Sequence, residues 1–434
     1  MRILIYGINF HPEIVGIGKY TGEMARWLTE QGHDVRIVTA PPYYPAWRVS
    51  KKYSAYWYQT EQHEGQHVIR CPLWVPKKQS GLKRIVHLCS FAASSLPCVL
   101  WQGLFWRPDI VLSVAPAFFC APAAWLSARL GASHASLHIQ DFEIDAAFAL
   151  GLLSGRWVRS LVSRVERWVL RRFDSVSTIS KRMLSVLSEK KVPHARQLFF
   201  QNWVDTDSVK PLDGERPFRA ELGLAKDDVV ALYSGSMGEK QGLDILIDSA
   251  KQLSDYPQIK FVLCGDGAAR ERLQAAAQGC SNIRFLPLQP LEKYNDLLNA
   301  ADIHLLPQRP DAADLVMPSK LGAILAAGGA LIACASPGTE IADVVLDAGG
   351  VLSPPDDCAA LARNILELAN GAERRQSMRQ TARDYALKHL NRELVLKNWF
   401  DKLTERVARP GTLSPTLVPA GETLPHQWPD SDKQ

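Results

Sequence analysis

No two cysteines of this 434-residue chain form a Cys-x-x-Cys pair, although there are eight of them. Cys71, Cys89, Cys98, Cys120, Cys264, Cys280, Cys334 and Cys358 are scattered, several within apolar runs. No zinc-ligand spacing results. Buried free thiols in a reducing compartment are the expectation. There is no large excess of one charge either. The formal net charge is +5, which excludes a polycation, and no nucleic-acid partner is expected. The apolar run Ile3–Tyr6 is too short for a secretory h-region and passes straight into Gly7. It reads as a first strand of a protein on the cytoplasmic side.

Residues 85–106 contain no Asp, Glu, Lys or Arg, while Lys77, Lys78, Lys83 and Arg84 precede them and Arg107 follows. The length approaches a bilayer span. His87, Pro97, Gln102 and several serines weaken a crossing, and strands of one sheet continue on both sides. A shallow monotopic insertion is expected, with a buried core helix as the alternative. Residues 155–173 point the same way. They set Arg156, Arg159, Arg164, Arg167, Arg171 and Arg172 against an apolar stripe of Trp157, Leu161, Val162, Val165, Trp168 and Val169. The pattern suits an interfacial helix on anionic lipid, and equally a surface helix with a core face.

Elsewhere short apolar runs alternate with helical patterns. In the first half strands are expected at Ile3–Tyr6, Val35–Thr39, Asp109–Val114, Ala135–Gln140 and Ser175–Ile179. Gly16-Ile17-Gly18-Lys19-Tyr20 falls in a loop before a helix over Thr21–Gln31, and the aromatic-rich 41–58 forms a long loop. In the second half strands are expected near 229–233, 259–263, 283–286, 302–305, 330–334 and 350–352. This rhythm predicts an α/β protein of two doubly wound parallel units. They would cover 1–200 and 201–385, with the linker at Gln201–Gly214. A helix over 386–408 would pack back toward the first unit, and 409–434 would be a disordered tail.

The chemistry is expected at strand ends. Val229–Tyr233 runs into a loop from Gly235 to Gly242, and a helix follows from Leu243. Glycines let backbone amides approach a ligand. A helix start adds the positive end of its dipole, and Lys240 adds a full charge. Together these suit a phosphate or diphosphate. A plain strand–turn–helix corner with a solvated lysine uses the same residues. Pro318-Ser319-Lys320 opens another helix, with proline at a favoured first position. Gly265-Asp266-Gly267 follows one strand, and Asp141 and Glu143 follow another.

These stretches, with Gly32-His33-Asp34-Val35, Cys264, Ala301-Asp302-Ile303 and Gly328, carry a resemblance to the retaining glycosyltransferases of family 4. That family has the GT-B fold, two Rossmann-like domains facing a cleft. The match runs to about residue 405. Asn9-Phe10-His11-Pro12-Glu13, Gln140-Asp141-Phe142-Glu143 and Lys240-Gln241-Gly242 are most similar to the branch that serves bacterial colanic acid synthesis.

The resemblance implies a nucleotide-sugar donor, GDP-fucose, on the second domain. It implies an undecaprenyl-diphosphate-linked acceptor on the first, at the inner-membrane surface. Transfer would be front-face with retention and need no metal or other cofactor. Lys240 would stabilise the leaving diphosphate, helped by Gly235, Ser236, Ser319 and Lys320. Gly265, Asp266 and Gly267 would lie at the nucleoside. Gly16 and Gly18 would let their loop close over the sugar and phosphate. Asp141, with Glu143 second, would orient the acceptor hydroxyl or steady the developing positive charge at the sugar. The sequence departs from the family twice. Ser236 stands where relatives carry an arginine. Ala323 stands where they carry the second of two glutamates, and Asp314 is the nearest acid on hand for the first.

Three other readings compete. A dinucleotide-dependent oxidoreductase fits poorly, because Gly16-Ile17-Gly18 lies nine residues past Gly7 and has no third glycine at the right spacing. A nucleotide-sugar epimerase of the same fold would need no membrane contact. A non-catalytic scaffold would turn over no donor.

Overall fold

A computed structural model of the protein describes residues 1–13, 16–77, 81–115, 118–142, 156–214, 216–309 and 318–408, without the side chains of Leu82, Arg156, Val158 and Lys240. Two sheets organise it. The first holds β1 (Arg2–Gly7), β2 (Asp34–Thr39), β3 (Gln59–His63), β4 (Gln66–Arg70), β5 (Ile110–Ala115), β6 (His134–Ile139), β7 (Ser175–Thr178) and β8 (Gln197–Phe199), in the order β3-β4-β2-β1-β5-β6-β7-β8. Its pairs are parallel except β3 with β4. Every residue of β5 is buried, as a strand covered by helices on both faces requires.

The second sheet holds β9 (Val229–Ser234), β10 (Ile259–Cys264), β11 (Ile283–Leu286), β12 (Ile303–Pro307), β13 (Leu331–Cys334) and β14 (Val351–Ser353), in the order β11-β10-β9-β12-β13-β14, all parallel. The two doubly wound units read from the alternation are present. Each sheet changes its direction of growth beside its first strand, between β1 and β5 and between β9 and β12. The crevice outside the carboxyl ends at such a switch point is where open α/β sheets take ligands. The loops after β1, β9 and β12 therefore matter most.

Three local expectations change. Gly16–Tyr20 forms the first turn of a helix, Gly16–Glu30, and not a loop. The β3–β4 hairpin was not legible in the sequence. β3 is the polar edge run Gln-Thr-Glu-Gln-His, and its turn rests on Glu64 and Gly65, both at positive φ (48° and 81°), the two-residue geometry that matches strand twist. β8 is only three residues long and follows β7, which had been expected to close the sheet.

The chain passes between the domains twice, side by side. Val204 N–H donates to the Leu390 carbonyl (2.8 Å), and Arg392 N–H donates to the Val204 carbonyl (3.1 Å). The helix Arg392–Val407 then lies on the first domain. Trp399 stacks on Phe200 with ring centroids 4.1 Å apart, and Trp27 Nε1 donates to Glu393 (2.7 Å). A further bond crosses between domains. The Glu340 carboxylate accepts the N–H groups of Lys181 (2.7 Å) and Arg182 (2.9 Å). It caps the helix Lys181–Glu189, where a negative charge meets free amides and the dipole. A cavity of about 410 Å³ between the domains is lined by Tyr20, Asn202, Ser319, Glu340 and His389 among others.

Candidate active site and apolar face

The loop after β9 is stitched to the loop after β10. Gly235 N–H donates to the Cys264 carbonyl (2.9 Å), Met237 N–H to Asp266 (2.8 Å), and Ala269 N–H to Met237 (2.9 Å). A Cβ on Gly265 would stand 1.8 Å from the Gly235 oxygen, and one on Gly267 would stand 2.6 Å from the Met237 oxygen. Both glycines are at positive φ, 154° and 151°. Their lack of a side chain is thus used to admit the neighbouring loop. Asp266 is exposed beside them and its carboxylate accepts the Gly267 N–H (2.8 Å).

The helix Ser319–Ala326 begins behind Pro318 and points its first residues at the same loop. Ser319 and Ser236 are exposed. Lys320 is half-buried, yet its Nζ is sealed from solvent and has no hydrogen-bond partner among the described residues. The ammonium lies 3.9 Å from the Tyr233 ring centroid, and a Cβ on Gly235 would be 3.5 Å from it. Burial lowers the Lys320 pKa to about 7. An unpaired ammonium out of water is unfavourable. A helix start beside a cation is a setting that favours an anion.

The position of the missing glutamate is apolar. Ala323 is buried with Leu298 and Ala327, and Tyr294 packs against that cluster with its hydroxyl bonded to Ser234. Asp314 and Glu143 lie outside the described residues, as does the Lys240 side chain, although its backbone forms the turn Glu239–Gln241. Sequence reasoning missed Arg272. It holds Glu239 (3.0 Å) and both oxygens of Asp244, so it ties up the two acids that flank this turn. No motif marks it, since it lies a helix away.

In the first domain the loop after β1 turns on Glu13, also missed. Its buried carboxylate accepts from Asn9 Nδ2 (2.8 Å) and from the N–H groups of Tyr43 (3.0 Å) and Tyr44 (2.9 Å). Burial raises its pKa against those bonds. Gly16 sits at φ 61°, where a side chain would be strained. A Cβ on Gly18 would lie 2.7 Å from Glu13 Cβ and 2.8 Å from its Oε2. Gly18 therefore makes room for the clamp. Overpacking of this kind costs about 1–3 kcal/mol. Gly18→Ala is expected to lower stability by that amount in urea denaturation.

Asp141 is half-buried immediately past β6. His138, inside that strand, is a satisfied core residue. It bonds Ser177 Oγ (3.0 Å) and Gln140 Nε2 (3.0 Å), and burial lowers its pKa to about 3. Gln140 exchanges amide bonds with Asn202 (3.0 and 3.1 Å), which ties this strand end to the crossing between domains.

Comparison with known proteins decides the family. Domain models described as "Glycosyl transferase 4-like domain" and "Glycosyl transferases group 1" match residues 15–203 and 215–385. The chain is 42% identical over 413 residues to a protein of Escherichia coli K12 described as "Putative colanic acid biosynthesis glycosyl transferase WcaI", and the match covers 93% of this chain and 100% of that one. The chain belongs to the GT-B glycosyltransferases. This glycosyltransferase shares its fold with sucrose-phosphate synthase of Thermosynechococcus elongatus (TM-score 0.72, 16% identity, 94% and 99% of the two chains). It shares it also with Anabaena HepE, solved in complex with UDP-glucose (TM-score 0.65, 15% identity, 93% and 100%).

The uncharged segment of this glycosyltransferase forms the helix Gly81–Trp101, continued by a wider turn, Gln102–Trp106. By length and composition the run Lys83–Trp106 could cross a bilayer, with only 33% of its apolar window buried. One face is built into the domain. Tyr6 Oη meets Ser95 Oγ at 2.6 Å, Phe91 and Val99 are in the core, and Gly103 lies against the Ser127 backbone. The opposite face exposes Val86, Leu96, Trp101, Leu104 and Phe105 at helical spacing. Neither a core helix nor a free spanning helix describes it. Leu126 and Leu130 of the next helix, Ala121–Gly131, are exposed too, as are Trp157, Leu161, Val165 and Trp168 of the helix Arg156–Leu170. Trp125 and Trp168 join these two helices, and Arg172 lies over both rings. Arg159, Arg164, Arg167 and Arg171 are exposed around them.

Proposed function

We propose that this glycosyltransferase moves a sugar, with retention, from a nucleoside-diphosphate donor to an undecaprenyl-diphosphate-linked acceptor in exopolysaccharide synthesis of the colanic acid type. GDP-fucose is the proposed donor. The observation that carries the reading is the sealed Lys320 ammonium, without a hydrogen-bond partner among the described residues, between the Gly235 loop and a helix start at the switch point of the second sheet. The full-length similarity to the colanic acid transferase WcaI supports the pathway.

In this reading the diphosphate lies against the Gly235 loop and the first turn of Ser319–Ala326. Lys320 stabilises the charge that grows as the glycosidic bond breaks. Asp141 orients the acceptor hydroxyl, and the leaving diphosphate takes its proton on the same face. The counter-charge comes from side chains, so no resident metal is proposed. The apolar face of the first domain, with its arginines, seats the enzyme on the cytoplasmic side of the inner membrane.

The test is turnover of the purified protein with GDP-fucose, a panel of UDP-sugars and lipid-linked acceptor, with and without EDTA. Acceptor-dependent fucosyl transfer with retained anomeric configuration, unaffected by EDTA, is expected. Transfer from a UDP-sugar but not from GDP-fucose overturns the donor. Release of an altered free nucleotide sugar without acceptor would favour an epimerase.

A further inference from the structure

We propose that Arg309 is a second cation of the donor-diphosphate site, supplied from the strand next to the glycine loop and not from the loop itself. The inference rests on the reading that this loop holds the diphosphate. β12 is the immediate neighbour of β9 across the switch point, and Arg309 follows its last residue, Pro307, by two positions. The arginine stem lies across Gly242. A Cβ on that glycine would be 2.9 Å from Arg309 Cγ and 3.7 Å from Nε. Gly242 is at φ 61°, so the position both needs glycine and uses its bare face as a platform for the arginine.

Lys320 covers Gly235 in the same manner at the loop's other end. The loop is thus bracketed by two cations, each packed on a glycine. Arg309 stands just past β12, and Lys320 lies in the first turn of the helix Ser319–Ala326. Arg309 is exposed and makes no ion pair or hydrogen bond among the described residues. Among the described residues Asp244 lies within its electrostatic reach, and Arg272 already grips that acid with both terminal nitrogens. Glu239, the other acid of the turn, is held by the same Arg272 at 3.0 Å. Arg272 thus pairs with both acids of the turn, while Arg309 and Lys320 have no ion pair among the described residues. A planar guanidinium suits two phosphate oxygens at once. The exposed Ser236 carries no charge, so without Arg309 the described side chains offer the diphosphate Lys320 alone.

The experiment measures affinity of the full-length protein for GDP and for UDP by calorimetry, with guanosine and uridine as phosphate-free probes. Arg309→Gln is expected to weaken binding of the preferred diphosphate about ten- to hundredfold, as for one lost charge-assisted contact. It should leave nucleoside affinity and the thermal midpoint unchanged. Arg309→Lys should recover part of the loss, and the salt dependence of diphosphate binding should be shallower in Arg309→Gln than in the wild type. Wild-type diphosphate affinity in Arg309→Gln overturns the proposal. The Lys320→Met variant keeps the two readings apart. If it loses diphosphate binding and Arg309→Gln does not, the site stands and the role of Arg309 falls. If the wild type binds neither GDP nor UDP, both fall.

Discussion

Replacing Lys320 by methionine is expected to weaken nucleoside-diphosphate binding by about thirtyfold to a few thousandfold while making the empty enzyme more stable. The loss follows from removing one partner of a buried charge pair, about 2–5 kcal/mol. The gain follows from the burial of Nζ, which is sealed from solvent without a hydrogen-bond partner among the described residues. Burial sets the folded pKa at about 7, against roughly 10.4 in an unfolded chain. The sign is that of a depressed cation. Below pH 7 both states carry the proton and the burial penalty is felt in full. Between about pH 7 and 10 the unfolded chain holds more protons than the folded one, so stability rises with pH as the penalty is relieved. Methionine should therefore raise the thermal midpoint most below pH 7, with a gain that shrinks toward pH 10.

Binding has the opposite demand, because an anion favours the charged lysine. Above pH 7 the wild type should take up a proton with the diphosphate. Calorimetry in two buffers of different ionisation enthalpy measures that proton, and Lys320→Met should lose it. Equal proton uptake in both proteins would place the titrating group elsewhere. A stabilised, non-binding variant would mark Lys320 as a residue kept for function at the expense of the fold.

The legible part of this site was the part carried by nearby residues in the chain. Buried strands such as β9 and β5 announce themselves as apolar runs, and Pro318 announces the helix that carries Lys320. A glycine can be flagged, but its neighbour cannot. Gly18 faces Glu13, Gly265 faces Gly235, and Gly242 faces Arg309, and only the tertiary fold makes the second and third of these pairs. The resemblance places Gly265 and Gly267 at the nucleoside, and their Cβ positions add a second use, the packing of one loop on another. Arg309 has no motif at all. Its significance is that Arg272 and Asp244 satisfy each other. The edge strand β3 escaped for a different reason: with one face open to water its polar residues carry too little apolar pattern to read.

The exposed apolar face of the first domain, proposed above to meet the membrane, yields the other large expected effect. Substituting Arg164, Arg167 and Arg171 together by glutamine should lower partition onto vesicles rich in anionic lipid by more than a hundredfold, at about 1 kcal/mol for each arginine near the surface. All three are exposed on or just past the helix Arg156–Leu170, so the fold should be unaffected. Salt screens such contacts over about 10 Å at 0.1 M, and the wild type should approach the triple variant as salt rises. Trp101 and Phe105 work by a different mechanism. Their ring centroids lie 4.1 Å apart in a tilted pair, both are exposed, and they would enter the interface by apolar burial. The double variant Trp101→Ser, Phe105→Ser should lose partition to anionic and neutral vesicles alike, with little response to salt. In both variants transfer to a lipid-linked acceptor in vesicles should fall with partition, while transfer to a soluble acceptor analogue should hold. Wild-type sedimentation with vesicles in both variants would remove this face from the membrane and leave its exposed tryptophans to another partner.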